Sequence, residues 1–392
     1  MSAVVDWLER RHFQLLVLAV GLTPLLYFWW SGNVDLNVYR TGGFAVLHHV
    51  SLYSEGFGQL VPWIALPFTY PPLAAVLFVP LHLLPMPLAD LAMCVASTAA
   101  LTATMLVVLQ RLLGWNRRAL AIGLLGAVSA FAFEPVRSTI GFGQINLILM
   151  GLVAVDCLLP RTRWPRGILV GLAAAIKLTP AVFVVYFLVR RQYREAAVAF
   201  GTFVGLALVG FALAPADSTK YWFGVLFDPD RIGGATYAYN QCFQAVLHRV
   251  MGDGAARTLV WLGLVLATGV LAGVAAYRAR GAGNDVLALL VIAVWGLLAS
   301  PVSWSHHWVW IAPASLLLVK YAWHSKWMLV ATIVVLADFA IGPHGYLNPE
   351  GRTWSVPEHL LGSGYVLIGA AFLVVQGLKS AARIRYTCRL RS

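Results

Sequence analysis

The sequence predicts an all-α, polytopic transmembrane protein, and three observations predict it. Hydrophobic residues fill 60% of the 392 positions and charged residues only 11%, against about 25% charged in ordinary soluble domains. Mean hydropathy is +0.77. The apolar residues fall in repeated runs, and short basic clusters separate them. The formal charge of +12 is therefore the mark of cytoplasmic loops. Nucleic-acid binding would need Lys and Arg gathered on one face with stacking aromatics.

Ten runs read as spans: 13–30, 88–110, 119–133, 145–159, 195–214, 258–277, 285–299, 308–322, 327–341 and 362–378. Several are shorter than the roughly 20 residues that cross a bilayer upright, so their ends extend into the flanks. About 10–12 transmembrane segments are expected in a single integral domain, 1–392. The first run follows Arg10 and Arg11 and lacks a small-residue cleavage site, so it reads as an uncleaved span. Cys94 and Cys157 lie in apolar runs, Cys242 in a polar loop and Cys388 in the basic tail, which is no disulfide framework. That tail, Lys379 to Arg391, is expected on the anionic cytoplasmic leaflet.

Two segments break the pattern. Residues 71–87 carry Pro80 and Pro85 and are expected as an interfacial or re-entrant helix. Residues 167–189 hold Lys177 and Pro180 at their centre, with Arg161, Arg163 and Arg166 before and Arg190, Arg191 and Arg194 after. Two half-helices returning to the same side satisfy both basic clusters, with the broken backbone beside a protein-lined cavity. Most of the 28 Lys and Arg then lie on the side of the N-terminus. The positive-inside rule puts both termini in the cytoplasm of a plasma (inner) membrane protein.

That topology sends most polar motifs to the extracytoplasmic face, in loops near 31–87, 134–146, 215–257, 300–308 and 342–361. No P-loop or GxGxxG fingerprint is present, so chemistry on that face must draw on an activated group already in the membrane. A lipid-linked donor meets this requirement.

Residue chemistry singles out four positions. Asp35, in GNVDLNVYR (32–40), suits either a general base at the membrane exit or a helix N-cap. Lys177 is an intramembrane charge, which costs about 2.5–3.5 kcal/mol on insertion scales and normally faces a partner or a wet cavity. It suits a phosphate, or a carbonyl at a helix end. His306 and His307, in SPVSWSHHW (300–308), point in different directions on any regular element. One can meet a phosphate or sugar, and the other can pack against Trp304, Trp308 or Trp310. Adjacent histidines without a third ligand make a poor zinc set. Asp228-Pro229-Asp230 resembles a D-x-D metal motif, which serves a diphosphate. No essential metal and no cofactor are expected. Tyr39, Tyr70, Gln144, Asn146, Asn240 and Gln241 are sugar-binding types that serve equally as loop ties. His344 and Tyr346 are candidates for an acceptor entrance, and Arg40, Glu134 and Arg137 for an ion-pair network.

DLNVYR (35–40), YPPL (70–73), GQIN (143–146), AAIKLTP (174–180), NQ (240–241) and SPVSWSHHW (300–308) together resemble the integral-membrane GT-C glycosyltransferases, and within them glycosyltransferase family 87. The resemblance runs in order along nearly the whole chain. It departs after Gln241, where CFQAVLHR replaces an expected small-residue stretch. The resemblance implies an inverting α-1,2-mannosyltransferase that takes mannose from polyprenyl-phosphate-mannose to a phosphatidylinositol mannoside, in a tetramannoside-to-pentamannoside step. It implies Asp35 as base and at least one of His306 and His307 at the donor, where Lys177, Asn240 and Gln241 are also expected. Tyr39, Arg40, Tyr70, Gln144, Asn146, Trp304, His344 and Tyr346 would then line the sugar or acceptor. The expected partners are the lipid-linked donor, a glycolipid acceptor and membrane lipids, without nucleic acid. Lipomannan or lipoarabinomannan branching and a polyprenyl-phosphate-arabinose donor remain same-fold alternatives. A lipid or solute transporter is the alternative of another class, since broken helices and a buried lysine also mark transporter sites.

Overall fold

Proline and glycine punctuate the chain where the apolar runs begin and end. The computed structural model describes residues 14, 17–22, 32–60, 66–228, 231 and 233–379. The expected first span and the basic tail with Cys388 therefore lie largely or wholly outside the described residues. Between residues 34 and 378 run seventeen α-helices, and no strand occurs among the described residues. The first are α1 (Val34–Leu47), α2 (Pro72–Leu83), α3 (Met86–Leu113), α4 (Arg117–Ser129), α5 (Glu134–Gly141) and α6 (Asn146–Leu158). Next come α7 (Ile168–Ile176), α8 (Phe183–Val189), α9 (Tyr193–Leu213), α10 (Pro215–Phe223), α11 (Phe243–Val250) and α12 (Ala255–Gly281). The last are α13 (Asp285–Ala299), α14 (Ile311–Ala322), α15 (Lys326–Ile341), α16 (Val356–Gly362) and α17 (Gly364–Leu378). The protein is an all-α polytopic membrane protein.

Local chemistry accounts for the boundaries. Pro85 stands before α3 and Gly114 ends it, because proline suits a helix start and glycine a left-handed exit. Ser325 caps α15 by accepting from Met328 N at 3.1 Å. Among the described residues α3, α9 and α12 alone are long and apolar enough to cross a bilayer as single helices. Two further candidates are bent pairs. Helix α4 and the turn after it meet α5 at 78°, and α16 meets α17 at 70°. Pro135 is the second residue of α5, so the first bend is a proline break. The shorter apolar helices include α2, α6 and α13.

The segment 167–189 consists of α7, a break at Lys177–Leu178, a 3-10 turn (Thr179–Val182) and α8. Its two ends lie together. Asp156 Oδ2, near the end of α6, accepts from Gly167 N at 2.9 Å and Val170 N at 3.1 Å. Tyr186 of α8 donates to the carbonyl of Cys157 at 3.4 Å. Lys177, at the middle, instead reaches Asn146 at the first turn of α6. Helix α6 is about 20 Å long at 1.5 Å per residue, so the segment runs out along α6 and back. Gly167 allows it to start there. Its φ is +106°, and a Cβ would lie 2.3 Å from the carbonyl oxygen of Glu195 on α9. At the same end Asp285 bridges Arg190 and Arg111, the latter at 3.5 Å.

Helix α2 packs beside α1, with the Tyr39 and Phe78 rings stacked at 4.3 Å. Arg40 donates to the carbonyls of Leu81 and Leu84 at 2.7 and 2.6 Å, closing the break between α2 and α3.

Candidate active site

Asp35 stands in the first turn of α1, whose N-cap is Asn33. The orphan amides of that helix end are already served, because Asn33 N donates to Gly141 O at 3.0 Å. Asp35 N and Leu36 N donate to Phe142 O at 3.0 and 3.1 Å. The N-cap role thus falls away, and the carboxylate is not spent on capping. Gly143 permits this docking. Its φ is +63°, and a Cβ would lie 2.6 Å from Leu36 Cβ. Burial pushes the Asp35 carboxyl up from 3.8 to about 6, against the opposing pull of the Lys177 ammonium and a hydrogen bond from the Gln144 side chain. Such a carboxylate is charged at neutral pH and a stronger base than an ordinary aspartate.

Beneath Asp35 lies a dry polar cluster. Gln144 Oε1 accepts from Tyr70 Oη at 2.9 Å, from Ile145 N at 3.0 Å and from Tyr39 Oη. The two tyrosine hydroxyls are 2.9 Å apart. Tyr39, Tyr70 and Gln144 are all buried.

Lys177 Nζ donates to Asn146 Oδ1 at 3.0 Å and meets His307 Nε2 at 3.1 Å, with the Tyr70 ring centroid 5.4 Å away. Burial and the Lys177 ammonium push His306 down to about 3 and hold His307 well below the usual imidazole range, so both rings are neutral. Facing an ammonium, His307 Nε2 must accept, which puts its proton on Nδ1. An ammonium has three donors, and two are engaged. The third remains for a ligand oxygen. Asp35, Lys177 and His307 are each part-exposed while the side chains behind them are buried, so these three polar groups form the lining of an open site.

The His306 carbonyl accepts from Thr139 Oγ1 and Asn146 Nδ2, each at 2.9 Å. Asn146 therefore holds Lys177 with one side-chain atom and the histidine segment with the other. The His306 ring packs edge-on against Phe142 at 5.4 Å and His307 at 4.8 Å, where sequence reasoning expected one histidine against a tryptophan. An apolar cavity of about 60 Å³ continues from this point. Asn146, Met150, Pro180, Phe183, Leu297 and His307 are among its walls.

Other expected residues have different neighbours. Asn240 Oδ1 accepts from Ser303 N at 3.1 Å, and Gln241 Nε2 donates to the carbonyls of Ala238 and Gly362 at 2.8 and 2.7 Å. These bonds, with the Asn240–Trp304 bridge, tie the 236–242 loop to the histidine segment and to α16. The ion-pair network expected of Arg40, Glu134 and Arg137 is replaced by hydrogen bonds. Arg137 serves the carbonyls of Ala132 and Ala340. Glu134 accepts from the hydroxyls of Ser138, Ser305 and Tyr365 at 2.7, 2.9 and 2.9 Å, and His344 Nε2 lies 3.9 Å from it. His344 is buried against Tyr239 and Tyr365, whereas Tyr346 is 81% exposed. Thr139 and Ser305, which also support the histidine segment, were not legible in the sequence; short hydroxyls at helix ends carry no distinctive signal. Among the described residues no three His, Cys, Asp or Glu side chains converge as a metal site. Of Asp228-Pro229-Asp230 only Asp228 is described.

The model of glycosyltransferase family 87 matches residues 68–301. A polyprenol-phosphate-mannose-dependent alpha-(1-2)-phosphatidylinositol mannoside mannosyltransferase of Mycolicibacterium smegmatis (strain ATCC 700084 / mc(2)155) is 40% identical, covering 98% of this chain and 92% of its own length. The protein with the same description from Mycobacterium tuberculosis (strain ATCC 25618 / H37Rv) is 39% identical over 96% of this chain and 93% of its own. A polyprenol-phosphate-mannose-dependent alpha-(1-2)-phosphatidylinositol pentamannoside mannosyltransferase of Mycobacterium tuberculosis (strain CDC 1551 / Oshkosh) is 38% identical over 79% and 72%. Likeness on this scale removes the transporter alternative: the chain is a glycosyltransferase and belongs to glycosyltransferase family 87.

Proposed function

We propose that the protein transfers mannose from polyprenyl-phosphate-mannose to a phosphatidylinositol mannoside, forming an α-1,2 linkage with inversion, on the extracytoplasmic face of the plasma membrane. The observation that supports the mechanism is the presence of a carboxylate and an ammonium together in one open site. Asp35 and Lys177 sense each other's charge, while Lys177 is braced by Asn146 and His307. Asp35 takes the proton from the acceptor hydroxyl as that oxygen attacks the anomeric carbon. The bond from that carbon to the phosphate oxygen breaks, and polyprenyl phosphate leaves as an anion. A phosphate leaving group needs no second carboxylate as acid, unlike the alkoxide lost in glycoside hydrolysis. The free N–H of Lys177, with His307 beside it, meets the charge that grows on the phosphate. The apolar cavity beyond Pro180 and Phe183 suits the first carbons of the lipid. No metal enters this scheme, since a monophosphate is met by Lys177 and histidine.

The descriptions of the two relatives that cover nearly the whole chain support this donor and acceptor class. We take phosphatidylinositol tetramannoside as the acceptor. The relatives described as acting on the pentamannoside, at 38% and 39% identity, favour a second reading in which the next glycolipid in size is extended. The test is mass spectrometry of glycolipid products from purified protein given polyprenyl-phosphate-mannose with each acceptor, with and without EDTA. A one-hexose gain on the tetramannoside that survives EDTA and disappears in Asp35→Asn is the expected result. Gain on the pentamannoside alone would transfer the assignment to the second reading, and full activity in Asp35→Asn would remove Asp35 as base.

A further inference from the structure

We propose that Gln144 is the positioning residue that aims Asp35. Its side-chain carbonyl is held by Ile145 N, Tyr70 and Tyr39, so that its amide NH2 is committed to the Asp35 carboxylate. The inference rests on the reading of Asp35 as the base and assigns a residue to set that base's direction and strength.

An amide side chain can be turned over, exchanging its oxygen and nitrogen, and only its neighbours decide which way it faces. Here the decision is made by a backbone group. Ile145 N can only donate, and it lies 3.0 Å from the Gln144 atom that also faces Tyr70 Oη at 2.9 Å and Tyr39 Oη. That atom must accept, so it is the oxygen. Turning the amide over would set an NH2 against the Ile145 N–H where no water can compensate, since Gln144 is 2% exposed and Tyr39 is fully buried. Tyr39 lies one helical turn beyond Asp35 and Asp35 N is bound to Phe142 O, so the Gln144 NH2 is left on the side of Asp35, whose ionised form the Gln144 side chain favours. Ile145 N also lies 3.3 Å from Tyr39 Oη, so one amide proton anchors both the glutamine and the tyrosine pair. A carboxylate has more acceptor sites than one donor can fill, and Asp35 keeps the remainder for an acceptor hydroxyl.

The charged and titratable groups facing Asp35 come from each element packed around it. Lys177 comes from the turn of the α7–α8 hairpin, Tyr39 from α1 and Tyr70 from the residues before α2. His306 and His307 stand by Lys177 and are neutral. Lys177 and Gln144 are thus the two groups that favour the ionised base, and Gln144 does so without competing for phosphate.

The test measures kcat and KM for polyprenyl-phosphate-mannose and the mannoside acceptor across the pH range, using the purified full chain and its Gln144→Met, Gln144→Glu and Tyr70→Phe variants. Gln144→Met keeps the length of the side chain and removes the donor. Its acid limb is expected to move up by about one pH unit, with about tenfold loss of activity below pH 6 and nearly unchanged KM. Gln144→Glu is expected to move the limb further, since a second carboxylate opposes ionisation. Tyr70→Phe should give a smaller shift in the same direction; it keeps the test available should Gln144→Met not fold. An acid limb that stays in place in a folded variant overturns the inference, and so does a loss confined to KM. Asp35→Asn separates the two levels. If it is inactive while the Gln144 variants keep the wild-type limb, only this inference falls; if it is fully active, the base assignment falls as well.

Discussion

Asp35→Asn should abolish transfer and yet make the folded protein harder to unfold near neutral pH. Burial outweighs the Lys177 ammonium and the Gln144 hydrogen bond, so the folded carboxyl titrates at about 6 against an ordinary value of 3.8. A carboxyl whose folded pKa is raised contributes fully to stability below its unfolded pKa and loses that contribution as pH rises through the folded one. Above about pH 6, keeping Asp35 ionised therefore costs folded-state stability. A displacement of about two pH units corresponds to at most about 3 kcal/mol, and to less here because Asp35 is only part-buried by its surface. Asparagine has the same shape, carries no charge and still accepts from Gln144. The assay is thermal unfolding of purified wild type and Asp35→Asn in one detergent, from about pH 4 to about pH 8. The two midpoints should nearly coincide at about pH 4, separate between about pH 4 and about pH 6, and hold a gap of a few degrees above it, with the variant higher. A gap that is absent, reversed, or widest at low pH would refute the reasoning.

Lys177→Met should lower kcat by about 10²–10³-fold, the usual cost of removing one donor to a developing oxyanion. Steady-state rates with saturating donor check this, and the variant should keep its elution profile in detergent. Gly143→Ala should reduce both activity and stability, because its φ is +63° and the new Cβ would lie 2.6 Å from Leu36 Cβ. The α1 terminus that carries Asp35 must then move, and Gly141→Ala, where a Cβ meets nothing within 4 Å, serves as the control in the same rate and unfolding assays.

The fold class was legible because hydropathy over runs of about twenty residues reports burial in lipid whatever the tertiary contacts. Asp35, Lys177 and the histidine pair were also legible, since a charge or paired imidazoles beside apolar runs is costly without a task. What could not be read was which polar residues line the open site and which hold the framework. Asn146 and Asn240 are the same amino acid in similar motifs, yet one braces Lys177 while the other accepts from Ser303 N. That difference depends on how α6, the hairpin and the 300–308 segment come together. Arg40 was likewise ambiguous. Its two carbonyl partners lie 41 and 44 residues away, at a break that exists only because Pro85 ends one helix and begins another.

The loop between α5 and α6 explains why groups so far apart in sequence can form one site. Gly141 and Phe142 supply the carbonyls that close the start of α1, Gln144 reaches Asp35, and Asn146 holds both Lys177 and the His306 carbonyl. Four residues within six consecutive positions thus serve the start of α1, Asp35, Lys177 and the histidine segment, and nearly all of their bonds run to backbone or to buried side chains. In the proposed transfer, donors held in this way would not need to reorganise as charge moves from the acceptor hydroxyl to the departing phosphate, which is the condition under which fixed dipoles accelerate a reaction most. The bend between α4 and α5, with Pro135 in the first turn of α5, sets the direction in which the chain enters this loop. Without that bend Glu134 could not take its three hydroxyl partners on α5, the histidine segment and α17. The proline break and the reactive geometry are therefore one feature of the fold.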